Sequence, residues 1–143
     1  MTSEEEVTSP NSSTSGQPGV TPYLCCRSAL RALEYYRVVF GAIERSRVMQ
    51  PDGRLGHAEI MVGSALIMLA DEFPEIGFRS PRSLGGSPVY LHLRVERVDE
   101  VFERAIAGGA RSLRPVADQA YGERSGQIED PFGHVWILAT PKR

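Results

Sequence analysis

Two cysteines in 143 residues, side by side as Cys25 and Cys26, leave no room for a disulfide framework or a zinc knuckle. Neighbours in a strand-like run point to opposite faces, so one thiol belongs to the core and the other faces away from it. No stretch approaches the roughly 18–20 apolar residues that a membrane helix needs, so no membrane partner is expected. Basic surplus is also missing. With a formal net charge of -2 and no Lys/Arg run interleaved with aromatics, nucleic acid is not expected as a partner. The chain opens with Glu4, Glu5 and Glu6 where a secretory signal would carry positive charge, which makes a cytoplasmic location the expectation.

What is present suits one compact unit: 41% hydrophobic and 24% charged residues provide for a single domain with a core of its own. Residues 1–19 are mostly Ser, Thr, Glu, Pro and Gly, too polar to offset the entropy of ordering, and read as a flexible tail. From Thr21 the pattern changes. Tyr23 to Cys26 reads as a strand, and Ser28 stands where it can cap a helix from Ala29 to about Phe40, with Ala29, Leu33, Tyr36 and Phe40 as its buried stripe. Gly41 supplies the left-handed residue that ends it. Strands follow near Ile43–Met49, His57–Val62 and Ala65–Ala70, and a loop holds Asp71–Ser87.

The order then recurs. Val89–Val95 is a strand, and Val98, Val101, Phe102 and Ala105 mark a helix that Gly108-Gly109 ends, with Glu100 and Arg104 spaced to pair on its wet side. Strands near Ser112–Ala117, Glu123–Glu129 and His134–Thr140 close the series, the last two joined by Asp130-Pro131-Phe132-Gly133 in a type I turn. Gly41-Ala42 and Gly109-Ala110 lie 68 residues apart, and Leu69-Ala70 and Leu138-Ala139 lie 69 apart. The chain is therefore two βαβββ modules, about 20–72 and about 88–141, with a linker over about 73–87.

This order, together with the helix end EYYRVVFGA, the hairpin HAEIMVGSALIMLADE and the closing IEDPFGHVWILAT, resembles the vicinal oxygen chelate superfamily. That group includes glyoxalase I, the bleomycin and fosfomycin resistance proteins and extradiol dioxygenases, and the likeness, which covers 20–143, is nearest to its small glyoxalase-like branch. The resemblance implies an α+β fold: two βαβββ modules form facing curved mixed sheets around a cleft, with the helices outside. It also implies a homodimer, since such modules commonly complete their clefts across a two-fold axis. Alternation then assigns the faces. Leu91, Leu93, Val95, Ala58, Ile60, Val62, Ile67, Leu69, Trp136 and Leu138 turn to the helices; Tyr90, His92, Arg94, His57, Glu59, Met61, Leu66, Met68, Val135 and Ile137 turn to the cleft.

Metal-dependent members place a His, Gln or Glu ligand on the first and last strand of each module, and by position those places fall on Thr21 (Pro22 with a slip of one), Met68, Tyr90 and Ile137. Met and Ile offer neither oxygen nor imidazole to a hard or borderline cation, and the slipped positions Ile67, Leu69, Trp136 and Leu138 are no better. No cofactor is therefore expected. A divalent metal would need other ligands, and glyoxalase I chemistry, in which the metal holds an enediolate while a carboxylate moves a proton, is not expected.

The pattern identifies no catalytic residue; the candidates are His57, Glu59 and His92. His57 and Glu59, two apart on one strand, suit a base with its orienting carboxylate, a partial metal site, or a satisfied hydrogen-bonding pair at the cleft rim. His92 and Arg94 suit an anionic or carbonyl-bearing ligand, and Arg94 equally a rim ion pair with Glu59 or Glu129. His134 is expected to face solvent and Tyr121 to cover one end of the cleft. With Tyr23, Met68, Tyr90, Val135 and Ile137 as its floor, the cleft suits a flat, partly hydrophobic small molecule bound without being changed, as bleomycin-resistance-type proteins do. The alternatives are a lyase, isomerase or transferase built on His57, Glu59 and His92, and a partner-binding module that recognises through its tail.

Overall fold

A computed structural model describes residues 19–141; apart from Gly19, the tail expected over 1–19 lies outside them. β1 (Tyr23–Cys26) leads into α1 (Ala29–Phe40), followed by β2 (Ile43–Met49), β3 (Leu55–Val62) and β4 (Ala65–Asp71). A connecting stretch holds a 3-10 turn at Pro74–Ile76 and the single-turn α2 (Pro81–Leu84). The order then repeats as β5 (Tyr90–Arg94), α3 (Val98–Ala107), β6 (Arg111–Asp118), β7 (Glu123–Glu129) and β8 (Val135–Pro141). Each module forms one four-stranded mixed sheet, ordered β1-β4-β3-β2 and β5-β8-β7-β6, in which the first strand runs parallel to the last and the others antiparallel. The repeat holds at the level of register: Tyr23 lies opposite Met68 as His92 lies opposite Ile137. The α+β architecture that the resemblance implies is the one the chain adopts.

The caps show what local reasoning reaches. Gly41 ends α1 at φ 70°, its N–H on Arg37 O and the Ala42 N–H on Tyr36 O. At the other end Ser28 makes no side-chain cap. Asp71 replaces it from the end of β4, accepting the Ala29 N–H on Oδ1 at 2.7 Å and the Leu55 N–H on Oδ2 at 2.6 Å. A carboxylate bearing full charge is the stronger acceptor at a helix N-terminus, and this one comes from 42 residues away. Gly126 has a packing reason: a Cβ there would meet Phe102 Cε1, Val116 Cγ2 and Arg114 O at 3.0 Å, so α3 lies close on its sheet because β7 is bare at that point.

Alternation places Ala58, Ile60, Val62, Ile67, Leu69, Trp136 and Leu138 in one core that spans both modules. α1 lies on the first sheet, α3 on the second, and the helices touch each other. Tyr35 Oη donates to Ala105 O at 2.9 Å, and Arg104 donates from Nε and Nη2 to Val39 O at 3.1 and 2.8 Å. Arg104 thus leaves Glu100, which sits 3.5 Å from Arg97; a carbonyl at the negative end of a helix holds a cation better than an exposed pair on one helix face. Among the described residues no strand of one sheet pairs with a strand of the other. Nor is any helix long and apolar enough to cross a membrane.

The tightest joint is the turn between β7 and β8. Asp130 is fully buried, and its Oδ1 accepts the N–H groups of Phe132 and His134 at 2.8 and 3.0 Å. Its Oδ2 accepts Trp136 Nε1–H at 2.9 Å and the Tyr36 hydroxyl at 2.5 Å. Burial, with the Asp130 charge beside it, pushes the Tyr36 phenol well above its usual range. Tyr36 stacks on Phe40, with centroids 5.8 Å apart, and Phe40 meets Trp136 at 4.7 Å. His134, expected at the surface, is buried instead and donates from Nε2 to Cys25 O at 2.9 Å. The turn folds inward onto β1, which exchanges water for a carbonyl partner.

Removing one donor from a buried carboxylate costs about 1.5–3 kcal/mol. Tyr36→Phe is accordingly expected to lower the unfolding free energy by about 2 kcal/mol in urea titration, and Asp130→Ala by more, because it orphans several donors at once. A Tyr36→Phe protein as stable as the parent would show that the hydroxyl contributes nothing to the joint.

Candidate functional site

The strand pairings gather four of the expected cleft residues on the open face of the first sheet. Tyr23 on β1 lies opposite Met68 on β4, and Met68 opposite Glu59 on β3. Tyr23 Oη stands 2.8 Å from His57 Nδ1, and His57 Nε2 stands 3.1 Å from Glu59 Oε2. A carboxylate only accepts hydrogen bonds, so Nε2 carries the proton of the neutral ring, and Nδ1, left with a lone pair, accepts from the Tyr23 hydroxyl. The chain runs in one direction, from Tyr23 through His57 to Glu59. Burial, Cys25 and Glu59 push the Tyr23 phenol upward, so it stays protonated.

The second sheet carries the other candidates. Tyr90 lies opposite Val135, His92 opposite Ile137 and Arg94 opposite Ala139. His92 Nε2 is 3.1 Å from Glu123 Oε2, a partner that its own strand gives no hint of. Glu129 accepts Arg82 and Arg111, both at 2.6 Å, and Glu59 accepts His57, so neither expected carboxylate takes Arg94. Arg94 lines a surface hollow of about 580 Å³ with Glu96, Arg97 and Thr140. Val135 is buried, and Tyr90 and Tyr121 are exposed. Among the described residues no strand of one sheet pairs with a strand of the other, and no hydrogen bond joins the Tyr23, His57, Glu59 and Met68 group to the Tyr90, His92, Arg94 and Ile137 group.

A recess of about 350 Å³ opens beside Tyr23, walled by Gly56, Ala70, Phe73, Ile76, Gly77 and Phe78. Four of these residues come from the linker, which sequence reasoning passed over; the signal was two aromatics flanking Pro74 and Gly77. The linker is pinned. Phe73 and Phe78 exchange backbone hydrogen bonds at 2.8 and 3.1 Å, and the Arg54 guanidinium lies 4.0 Å over the Phe73 ring while pairing with Asp52 and Glu75. Glu72 accepts the hydroxyls of Ser80 and Ser83, which hold its carboxyl below the ordinary glutamate range. Cys25 shares this side of β1; burial, with Glu72 and Asp71 nearby, pushes its thiol up to about 12, so it is no nucleophile near neutral pH. Cys26 lies in the core.

The residues at the superfamily's ligand positions do not fit a metal. Met68 and Ile137 occupy the middle of the two open faces, Tyr90 is exposed, and Thr21 precedes β1. That set offers no imidazole or carboxylate to a divalent cation, and the slipped positions Ile67, Leu69, Trp136 and Leu138 are core residues. Among the described residues no three His, Cys, Asp or Glu side chains gather to hold an ion.

A family model described as the Glyoxalase/Bleomycin resistance protein/Dioxygenase superfamily matches residues 20–138. An uncharacterized protein of Mycobacterium bovis is 42% identical over 130 residues, covering 89% of this chain and 86% of its own. An uncharacterized protein of Arabidopsis thaliana is 26% identical over 118 residues, 78% of this chain and 70% of its own. Among solved structures, TioX from Micromonospora sp. is 26% identical, covers 87% of this chain and 96% of its own, and superposes with a TM-score of 0.65. The fosfomycin resistance protein FosX from Listeria monocytogenes, solved with Mn(II) and sulfate, shares the fold at a TM-score of 0.66 and 16% identity, with 90% of this chain and 92% of its own covered.

Two measurements check the geometry. Long-range 1H–15N correlation spectra at neutral to alkaline pH are expected to show His57 as the Nε2–H tautomer, and Glu59→Leu to admit the Nδ1–H form; an Nδ1–H ring in the parent would break the chain as drawn. Glu72 is bound more tightly as carboxylate in the fold, so its contribution to stability is full above the ordinary glutamate range and fades as pH falls through its lowered value. Acid titration of stability is expected to show this loss in the parent and not in Glu72→Gln; parallel curves would refute it.

Proposed function

The chain belongs to the Glyoxalase/Bleomycin resistance protein/Dioxygenase superfamily, and within it we propose a metal-free small-molecule binder of the bleomycin-resistance type. It takes a flat, partly apolar or aromatic ligand and works as a homodimer. The observation that carries this reading is the chemistry at the centre of the two open faces, where Met68 pairs with Tyr23 and Ile137 with His92. A thioether and a branched hydrocarbon there favour desolvation and ring contact over cation binding. Tyr23 and Tyr90 are left half open to water, one on each sheet, as suits surfaces awaiting a ligand or a second copy. Among the described residues no strand of one sheet pairs with a strand of the other, and a two-fold partner laid on these faces would enclose a molecule between copies.

One observation favours a second reading. The Tyr23–His57–Glu59 chain is a base already oriented by its carboxylate, which suits a lyase, isomerase or transferase that moves a proton at His57. His92, held by Glu123, would serve such an enzyme from the other sheet.

Protein purified without chelator is expected to contain no stoichiometric divalent ion. In thermal-shift and calorimetric screening, glycopeptide antibiotics and planar aromatic metabolites are expected to raise the melting temperature, while Zn, Mn, Ni and Mg ions do not; a ligand at about 100 times its Kd adds about 2.7 kcal/mol. Stabilisation by divalent ions alone, or an ion lost on His57→Ala, would overturn the proposal.

A further inference from the structure

The recess beside Tyr23 has a chemical peculiarity. Of the residues that wall it, Gly56, Ala70, Phe73, Ile76, Gly77 and Phe78 bring no polar side-chain atom, so Tyr23 alone carries one, its hydroxyl. With the imidazole neutral and held by Glu59 in the Nε2–H form, that hydroxyl donates its proton to His57 Nδ1. What Tyr23 Oη presents to an incoming molecule is therefore lone pairs alone. The ring is held in place by edge contacts with Phe78 on one side, 5.5 Å between centroids, and His57 on the other, 5.4 Å. The Phe73 wall is capped by Arg54.

We infer that this recess is where the flat end of the ligand sits, and that it selects an aromatic bearing a hydrogen-bond donor, an N–H or O–H pointed at Tyr23 Oη. Aromatics whose one polar atom is an acceptor are rejected there, since they set lone pair against lone pair. The inference rests on the binder reading and adds the seat and polarity of the ligand. It follows from the direction of the hydrogen-bond chain: a carboxylate two residues along β3 sets a ring tautomer, and the tautomer sets what a phenol on β1 can recognise. At about 350 Å³ the recess has room for a bicyclic ring.

Indole and 1-methylindole test it, sharing one bicycle and differing in that a methyl replaces the N–H, a difference in size that Tyr23→Phe separates from the hydrogen bond. By NMR titration of the full chain, indole is expected to bind about 3- to 10-fold more tightly, the worth of one hydrogen bond, and to shift the resonances of Phe73, Ile76 and Phe78. Tyr23→Phe is expected to bring indole to the level of 1-methylindole while leaving the latter unchanged. Tyr23 and His57 are partly exposed, and circular dichroism of both variants is expected to match the parent. His57→Leu frees the hydroxyl to donate, and quinoline, whose ring nitrogen only accepts, is then expected to bind more tightly than it does to the parent. Equal affinities of indole and 1-methylindole for the parent would overturn the inference, as would an indole affinity indifferent to Tyr23→Phe. Indole-induced shifts confined to the Tyr90 and His92 face would overturn it too, and would leave the wider binder reading standing. A stoichiometric metal on His57 would overturn both.

Discussion

The joint at Asp130 governs how the two halves of this molecule relate. A buried carboxylate is costly unless its oxygens are fully engaged, and here they are engaged by both modules: the backbone of its own turn, Trp136 from β8 and Tyr36 from α1. The aromatic contacts of Tyr36, Phe40 and Trp136 supply the area, and the carboxylate supplies the direction. Sliding α1 by one turn would take the Tyr36 hydroxyl away and leave the buried carboxylate one donor short. The same inward turn brings His134 onto the carbonyl of Cys25, so β1 is tied to module two as well.

That joint decides what the open faces can do. The helices and the turn hold the modules together while, among the described residues, no strand of one sheet pairs with a strand of the other, and each sheet turns a tyrosine of its first strand, Tyr23 or Tyr90, to water. The face of module one is the more elaborated, with the Tyr23–His57–Glu59 chain and the pinned linker beside it. The equivalent places in module two are less developed: His92 stands where Tyr23 does, and Gln127, opposite Ile137, stands where Glu59 lies opposite Met68. The repeat has kept its backbone and lost its chemical symmetry. A binder needs only one good seat, and an asymmetric pair of faces is compatible with that.

Much of the architecture was legible along the chain. Period-two alternation found the buried positions Ile60, Ile67, Leu69, Trp136 and Leu138, and two glycines at equivalent helix ends exposed the repeat, because these signals are local and strong. The pairing of His57 with Glu59 was legible for the same reason. What local reasoning missed came from elsewhere in the chain: Asp71 in place of Ser28 as cap, Val39 in place of Glu100 as the partner of Arg104, and Tyr23 as the head of the His57 chain. The first two win because a charged or partly desolvated partner outweighs a nearby exposed one, and all three join segments that local spacing does not relate.

By itself, then, the sequence determined the element order, the two-module repeat, which face of each strand is buried, and the side-chain chemistry at the superfamily's ligand positions. All of these depend on residue type and period. Only the tertiary structure decided that His134 turns inward, that Glu123 rather than a strand neighbour meets His92, and that the linker aromatics wall a recess beside Tyr23. Such facts require two distant segments to meet. The hydrogen-bond polarity of a site belongs to that kind, because it is set by which groups lose their water together.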